Sequence, residues 1–405
     1  LLEKEEVKEV LDIFQGVVNF FGPNLSTVLV RIFLLFIGGF FIYGGYKKFF
    51  EPLIMIPMGL GICLVNTGLL VMPDGRVGNL FVNALAEKPD EIINAIQVYF
   101  LQPVYTLTFS NGLIACLIFM GIGAMTEIDY LLKRPFYSFF LAISAELGTF
   151  LTFPIANLLG FNLRDSASIA MIGGADGPIV IYTSITLSPE LFVPITVVGY
   201  LYLSIVYALY PYMIKALIPK KMMGIEMVEF SEKKISAGQK FAFSGIICVL
   251  FSLLFPAASP LIGSFFLGVI IREAGIERYK KFLEDTLLSC STLFLGFTLG
   301  TLLGTEIVLK KEVLLILILG IIALILSGLG GLFGGYILYK MTKGKINPVL
   351  GIAGVSCVPT TAKVAQKCVS EVNPKAVIIE YAMGANVAGV ITTAIICACY
   401  ISLLK

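Results

Sequence analysis

Histidine is absent from the 405 residues, and only 14% of them are charged. The first absence excludes imidazole metal ligation and His acid/base chemistry. The second excludes an ordinary soluble domain, in which about 25% of residues are charged. No cysteine pair has zinc-site spacing, and most of the eight cysteines lie inside apolar segments (Cys63, Cys116, Cys248, Cys397 and Cys399), which argues against a secreted disulfide framework. No polar stretch is long enough to fold as a separate soluble unit. The glycine-rich stretch 328–335 has no preceding strand pattern and no following Lys-Ser/Thr, so it is not a nucleotide loop and reads as a face for close helix packing. The chain has no motif for hydrolysing ATP. Its formal net charge of +2 carries no nucleic-acid signal, and no nucleic acid is expected as a partner.

What the sequence has instead is apolar length. Hydrophobic residues make up 58% of the chain, and apolar runs of about 20 residues recur throughout, the length suited to roughly 30 Å of hydrocarbon. Examples are 27–46, 113–125, 136–153, 192–209, 313–338 and 377–404. The fold class expected is an all-α polytopic membrane protein embedded in a lipid bilayer. Residues 1–22 differ: Val7, Val10, Leu11, Phe14 and Val18 repeat at helical spacing opposite Glu3, Lys4, Glu5, Glu6 and Lys8, which predicts an amphipathic helix lying at the interface, the alternative being a mere polar leader.

About twelve apolar segments divide evenly around the Lys-rich stretch 215–240. Three matches recur in the same order in both halves. Pro52-Leu53-Ile54 answers Pro260-Leu261-Ile262, Phe119-Met120-Gly121 answers Phe294-Leu295-Gly296, and Gly173-Gly174-Ala175-Asp176-Gly177-Pro178 answers Gly354-Val355-Ser356-Cys357-Val358-Pro359. The expected organisation is therefore two membrane repeats, 23–218 and 240–405, joined by a basic cytoplasmic linker at 219–239. The first half carries roughly thirty extra residues around 72–102, read as an extramembrane loop.

Lysine and arginine placement sets the topology. With Lys47 and Lys48 inside, Lys133 and Arg134 also fall inside. The linker lysines (Lys215, Lys220, Lys221, Lys233 and Lys234) stay inside only if the Asp176 segment dips into the membrane and returns. Lys310 and Lys311 then fall outside, the one exception. Five crossings per half make the repeats inverted. The expectation is thus an inverted-repeat, transporter-like fold in which two broken or re-entrant helices enter from opposite faces and meet near the bilayer midplane, where secondary transporters bind their substrates.

Asp176 is the centre of that reading. Glycine costs about 1 kcal/mol and proline about 3 kcal/mol per helix position, so Gly-Gly-Ala-Asp-Gly-Pro should unwind, freeing carbonyls that lipid leaves unsatisfied. A carboxylate there costs roughly 2.5–3.5 kcal/mol on insertion scales, and a hard cation bound by carboxylate and carbonyl oxygens offsets it. The plainer reading is a helix break whose aspartate caps the next turn. The second motif, from Asn347-Pro348 through Gly351, Gly354, Ser356, Pro359, Thr360, Thr361 and Lys363, offers neutral oxygens in an apolar setting, although Ser and Thr there commonly serve their own helix backbone. Asn386, in a span of small residues, is either a ligand or helix-packing glue. Tyr200, Tyr202 and Tyr207 lie on the span after the first break, either as an interfacial belt, the usual place of tyrosines at span ends, or as a proton-transfer group. Glu146 is a second acid in an apolar span, either a proton site or a hydrogen-bonded buried group.

These motifs carry a resemblance. Gly-Gly-Ala-Asp-Gly-Pro, Asn347-Pro348…Gly351…Gly354-Val355-Ser356…Val358-Pro359 and Asn386-Val387-Ala388-Gly389-Val390 make residues 25–404 similar to the β subunit of sodium-pumping biotin-dependent decarboxylases, which act on oxaloacetate, methylmalonyl-CoA or glutaconyl-CoA. The resemblance implies a complex in the cell (inner, cytoplasmic) membrane with a carboxyltransferase α subunit, a biotin carrier subunit and a small membrane γ/δ subunit, and it is compatible with a homo-oligomer. In such a complex the β subunit decarboxylates carboxybiotin, takes up a cytoplasmic proton and exports Na⁺. Carried over by motif, Asp176, Asn347, Gly351, Ser356 and Asn386 are implied Na⁺ positions. Tyr202 matches a tyrosine implied in catalysis. Lys363 stands where the family often has arginine, keeping the charge but losing the bidentate fork. No Met-Lys-Met biotin acceptor occurs, so carboxybiotin is expected on a partner chain. The rival reading is a Na⁺-coupled secondary transporter or Na⁺/H⁺ antiporter, which composition, repeats and Asp176 fit equally well.

Overall fold

The computed structural model describes residues 13–22, 24–72, 75–84, 86, 88–227, 235–305 and 311–404. The first twelve residues of the N-terminal amphipathic stretch, and Lys233, Lys234 and Lys310, lie outside that set. The described part of the N-terminal stretch holds a short helix, Gln15–Phe20, flanked by exposed Phe14 and Phe21.

The chain is helical nearly throughout. In order come α1 (Leu25–Tyr46), α2 (Pro52–Thr67), a two-residue antiparallel ribbon of β1 (Leu70–Val71) and β2 (Val77–Gly78), and α3 (Pro89–Val98). Then come α4 (Leu113–Met125), α5 (Pro135–Ala145), α6 (Leu147–Leu158), α7 (Leu163–Ala170), α8 (Gly177–Leu187) and α9 (Phe192–Leu217). After the linker follow α10 (Ala237–Leu254), α11 (Ser259–Glu273), α12 (Leu288–Leu302), α13 (Lys311–Met341), α14 (Thr360–Val372) and α15 (Ile379–Leu404). Six helical stretches, α5–α6 counting as one, are long and apolar enough to cross a membrane among the described residues. The protein is a multi-pass membrane protein. The 72–102 insertion is more than a loop, since it holds the ribbon's second strand and the helix α3.

Elements recur in the same order in the two halves. Pro52 is the first residue of α2 and Pro260 the second of α11, and Phe119 lies in α4 as Phe294 lies in α12. Each half ends with a broken element followed by a 26-residue helix, α9 or α15.

The chain divides into two compact units that cut across these halves. In the smaller, residues 1–113 and 292–314, α1 and α2 form a hairpin that crosses closely at glycines: a Cβ on Gly38 would lie 2.7 Å from the Gly59 carbonyl oxygen. Asn66 Nδ2 donates to the Leu303 carbonyl at 3.0 Å, tying α2 to the chain just after α12.

In the larger unit, residues 114–291 and 315–405, α15 is buried along most of its length. Two broken elements pack against it, and hydrogen bonds define the base of each. In the first, α7 leads into a 3₁₀ turn, Met171–Gly174, and the chain reverses at Ala175 (φ 55°) before α8. That left-handed conformation costs an alanine roughly 1–2 kcal/mol. Ser188, just after α8, donates its hydroxyl to Asp165 at the start of α7, so the two ends of the element lie together. Nearby, Arg164 Nε donates to the Leu404 carbonyl at 2.7 Å, at the end of α15.

In the second element, the 3₁₀ helix Pro348–Gly354 leads through Ser356 into α14. Asn347, at its start, donates Nδ2 to the Met223 and Ile225 carbonyls at 2.8 and 3.1 Å. Asn373, at its end, donates to the Gly224 carbonyl at 2.9 Å. Both ends therefore clasp the same linker segment. Gln366 Oε1 in α14 accepts from the Ile378 and Ile379 amides, which open α15. The two bases thus sit at opposite ends of α15, whose 26 residues span about 39 Å at ~1.5 Å per residue.

The stretch 328–335 is a packing face, as the sequence indicates. A Cβ on Gly335 would lie 3.1 Å from the Gly351 nitrogen, and one on Gly330 would lie 2.7 Å from the Leu147 Cβ. The second broken element therefore lies directly against α13.

Candidate cation site between two broken helices

The two broken elements meet tip to tip. The Gly174 carbonyl accepts from the Ser356 backbone N–H at 3.2 Å and from the Ser356 hydroxyl at 2.6 Å. Beside it, the Gly173 carbonyl accepts from the Ser327 hydroxyl of α13 at 2.7 Å. Unwinding at Gly-Gly frees these carbonyls, and hydroxyls from other helices satisfy them. Only glycine fits at the first position, because a Cβ on Gly173 would lie 2.6 Å from the Thr149 nitrogen.

Asp176 follows directly and is 5% exposed. One carboxylate oxygen caps α8, accepting from the Ile179 N–H at 3.3 Å. The plainer capping role is therefore present, but it is a long bond and uses one oxygen of two. Among the described residues no ion pair involves Asp176 or Glu146. Nor is there a cluster of three or more Cys, Asp or Glu ligands among them. One carboxylate at the break, amid neutral oxygens and with no second acid in direct contact among the described residues, suits a monovalent hard cation better than a divalent or thiophilic metal.

Two buried oxygens nearby lack hydrogen-bond partners: the Tyr200 hydroxyl and Asn386 Oδ1. A Cβ on Gly177 would lie 2.5 Å from the Tyr200 hydroxyl oxygen, which places that hydroxyl against the residue next to Asp176. Asn386 spends its amide hydrogens on the second tip, with Nδ2 lying 3.1 Å from the Ala353 carbonyl, 2.8 Å from the Val355 carbonyl and 2.9 Å from Thr361 Oγ1. Unpaired buried oxygens are costly unless something satisfies them. A cation accepts lone pairs without needing a hydrogen.

The other residues named from sequence are more dispersed. Tyr202 lies two positions from Tyr200, about 200° around the helix, and its buried hydroxyl donates to the Leu317 carbonyl of α13. Asn347 holds the base of the second element, its Oδ1 accepting from the Val349 N–H at 3.0 Å. The seven residues Pro348–Gly354 set it roughly 14 Å from the tip at ~2 Å rise per residue. Gly351 lies where α13 passes closest, against Gly331. Lys363 is exposed on the first turn of α14. The structure thus gathers Asp176, Ser356 and Asn386 around the tips and places Asn347 away from them.

Sequence reasoning missed the hydroxyls that complete the site. Glu146 forms the junction of α5 and α6, and accepts from Thr149 Oγ1 at 2.6 Å and from the Thr393 hydroxyl. Thr393 Oγ1 lies 3.2 Å from Ser356 Oγ. Threonines in small-residue spans give only a weak sequence signal, since most bond their own helix.

A family model described as the Na⁺-transporting oxaloacetate decarboxylase β subunit matches residues 30–404. The chain is 49% identical to a carboxybiotin decarboxylase of Malonomonas rubra, over 98% of this chain and 99% of that protein. It is 33% identical to the methylmalonyl-CoA decarboxylase β subunit of Propionigenium modestum, over 96% of this chain and 97% of that one. It is also 33% identical to the oxaloacetate decarboxylase β chain of Klebsiella pneumoniae, over 94% and 95% respectively. A match across nearly the whole chain, including both broken elements, means that this chain belongs to the family of Na⁺-transporting oxaloacetate decarboxylase β subunits.

Proposed function

We propose that this chain is the membrane subunit of a decarboxylase sodium pump, coupling decarboxylation of carboxybiotin, with proton uptake, to Na⁺ export. The observation that carries the reading is the tip-to-tip contact of Ser356 with the Gly174 carbonyl beside buried Asp176. It joins two elements whose bases lie at opposite ends of α15. A site so placed is reached from either face by movement of one element against the other, as alternating access requires. In this reading the repeats are inverted, the first element enters from the outer face of the cell membrane, and the second enters from the cytoplasm. Asp176 supplies the charge for Na⁺, and Ser356 Oγ and the unpaired Asn386 Oδ1 supply neutral oxygens. Tyr200 completes the surroundings of Asp176. Asn347 and Gly351 act indirectly, by anchoring and seating the second element.

Carboxybiotin arrives on a separate carrier subunit, charged by a carboxyltransferase α subunit, in a complex that also holds a small membrane γ/δ subunit. The relatives differ in the acid or acyl-CoA they are named for, while one is named for carboxybiotin itself. In this reading Lys363, exposed on the turn after the second tip, meets the anionic carboxyl group. Loss of CO₂ leaves a basic ureido nitrogen that needs a proton, and the chain has no histidine to give one. Tyr202 is the proposed donor, its hydroxyl held meanwhile on the Leu317 carbonyl. A free phenol has a pKa near 10, so donation at neutral pH requires a nearby cation to stabilise the anion. Bound Na⁺ would do so once the alternating-access movement carries it from Asp176 toward the Tyr202 face of α9, which links proton delivery to ion occupancy. The test is Tyr202→Phe in the assembled complex. Na⁺-dependent decarboxylation of carboxybiotin should be lost while carboxyl transfer to biotin continues, and decarboxylation at the parent rate would refute the donor role.

A further inference from the structure

Glu146 is used by nothing described so far, although it is 2% exposed and forms the junction between α5 and α6. Its hydrogen bonds can be checked by counting protons. Thr393 Oγ1 lies within reach of three oxygens: a carboxylate oxygen of Glu146, Ser356 Oγ at 3.2 Å and the Gly389 carbonyl at 2.9 Å. A threonine hydroxyl has one proton to give. Ser356 also has one, and the Gly174 carbonyl, which only accepts, takes it at 2.6 Å. The contact between Thr393 and Ser356 can therefore be bridged only by the Thr393 proton. The contact between Thr393 and Glu146 then has no hydrogen unless Glu146 supplies it.

Protonated at Oε1, Glu146 satisfies the side-chain contacts, and the Gly389 carbonyl is left to the backbone of α15. It donates to Thr393, Thr393 donates to Ser356, and Ser356 donates to the Gly174 carbonyl. The other carboxyl oxygen remains an acceptor for Thr149 Oγ1 at 2.6 Å. Ionised, Glu146 turns the Thr393 proton toward itself, and a lone pair on Ser356 Oγ loses its hydrogen bond. That lone pair is then open to a cation.

We infer that Glu146 is a proton-exchanging residue of the ion path: it holds a proton while the joined tips carry no Na⁺, and releases it to water as Na⁺ enters. The inference rests on the proposed Na⁺ site and adds to it a group that senses occupancy through Thr393. One positive charge replaces another in the exchange. The groups facing Glu146 are consistent with that balance. Thr149 comes from α6, and Thr393 and Tyr400 come from α15. Asp176 bears on it from the first broken element. From α13, Ala323 and Ser327 pack at Gly148, and neither titrates. No cation among the described residues pairs with either carboxyl, and two enclosed negative charges without a cation are costly.

The consequence is antagonism between H⁺ and Na⁺. Where Glu146 is protonated, the apparent Na⁺ constant should rise about tenfold for each unit fall in pH, since one proton leaves per ion bound. The experiment has two readouts. In the assembled complex, half-saturation by Na⁺ of carboxybiotin decarboxylation is measured against pH. In the purified chain, infrared difference spectroscopy follows the C=O stretch of a protonated carboxyl group through pH and Na⁺ titrations. The parent should show the slope and a carboxyl band that Na⁺ diminishes. Glu146→Gln, which can still donate or accept but cannot titrate, should flatten the slope and lack the band. Thr393→Val should keep the band but uncouple it from Na⁺, and it carries the test if the glutamine variant fails to assemble. A slope that survives Glu146→Gln, or a Na⁺-sensitive band that survives it, would overturn the inference. A parent complex whose decarboxylation ignores Na⁺ altogether would instead overturn the proposed function.

Discussion

Replacing Ser356 by alanine removes one oxygen from the meeting point of the two broken elements and leaves almost everything else in place. The hydroxyl's bond to the Gly174 carbonyl is lost, but the Ser356 backbone N–H still donates to that carbonyl at 3.2 Å. The acceptor is therefore not orphaned, and the stability loss should stay near the net worth of one neutral hydrogen bond, about 1 kcal/mol. The proposed ion site would lose a neutral ligand but keep Asp176 and Asn386. A weakening of about 1–1.4 kcal/mol corresponds to a Na⁺ half-saturation constant about five- to tenfold higher, with the maximal rate largely retained. The assay is carboxybiotin decarboxylation by the assembled complex over a range of Na⁺ concentrations, with thermal unfolding measured on the same preparation. An unchanged Na⁺ constant in a normally folded variant would show that the tip contact is structural only. Complete inactivity at saturating Na⁺ would show that the hydroxyl does more than coordinate.

Two further outcomes are expected. In a cysteine-free background, single cysteines near Ser188 and near Asn373 should be labelled from opposite sides of the membrane, and labelling of both from one side would remove the inverted arrangement. Asn347→Ala should lower stability by about 2–3 kcal/mol, because it loses two donated bonds to the linker and the Val349 cap at about 1 kcal/mol each. Thermal unfolding should show that loss ahead of any change in Na⁺ affinity, and a change confined to Na⁺ affinity would place Asn347 at the ion instead.

The membrane elements were legible because hydrophobic length is a local property. The apolar runs at 27–46, 192–209 and 377–404 lie within Leu25–Tyr46, Phe192–Leu217 and, but for two residues, Ile379–Leu404. The breaks were legible from Gly and Pro, although the reversal falls at Ala175 rather than at either preceding glycine. What local pattern could not give was pairing across the fold. Nothing in sequence says that the hydroxyl of Ser327 reaches Gly173, or that Ser188 closes the first element on Asp165. Tyr200 and Tyr202 look alike in sequence, yet the helix turn between them sends one hydroxyl toward Gly177 and the other to Leu317. Asn347 carries the right chemistry for a ligand, and only the linker's position shows that its amide is engaged there.

The central claim is that Asp176 provides the charge for transported Na⁺ in a decarboxylation-driven pump. Asp176→Asn keeps the shape, and its amide oxygen can still cap α8 through the Ile179 N–H. The measurement is uptake of radioactive Na⁺ into proteoliposomes holding the complete complex, driven by its carboxylated substrate. The parent should accumulate Na⁺ in step with decarboxylation, and the Asp176→Asn complex should accumulate none while its partner subunits still carboxylate biotin. Uptake by the variant at the parent rate would contradict the account.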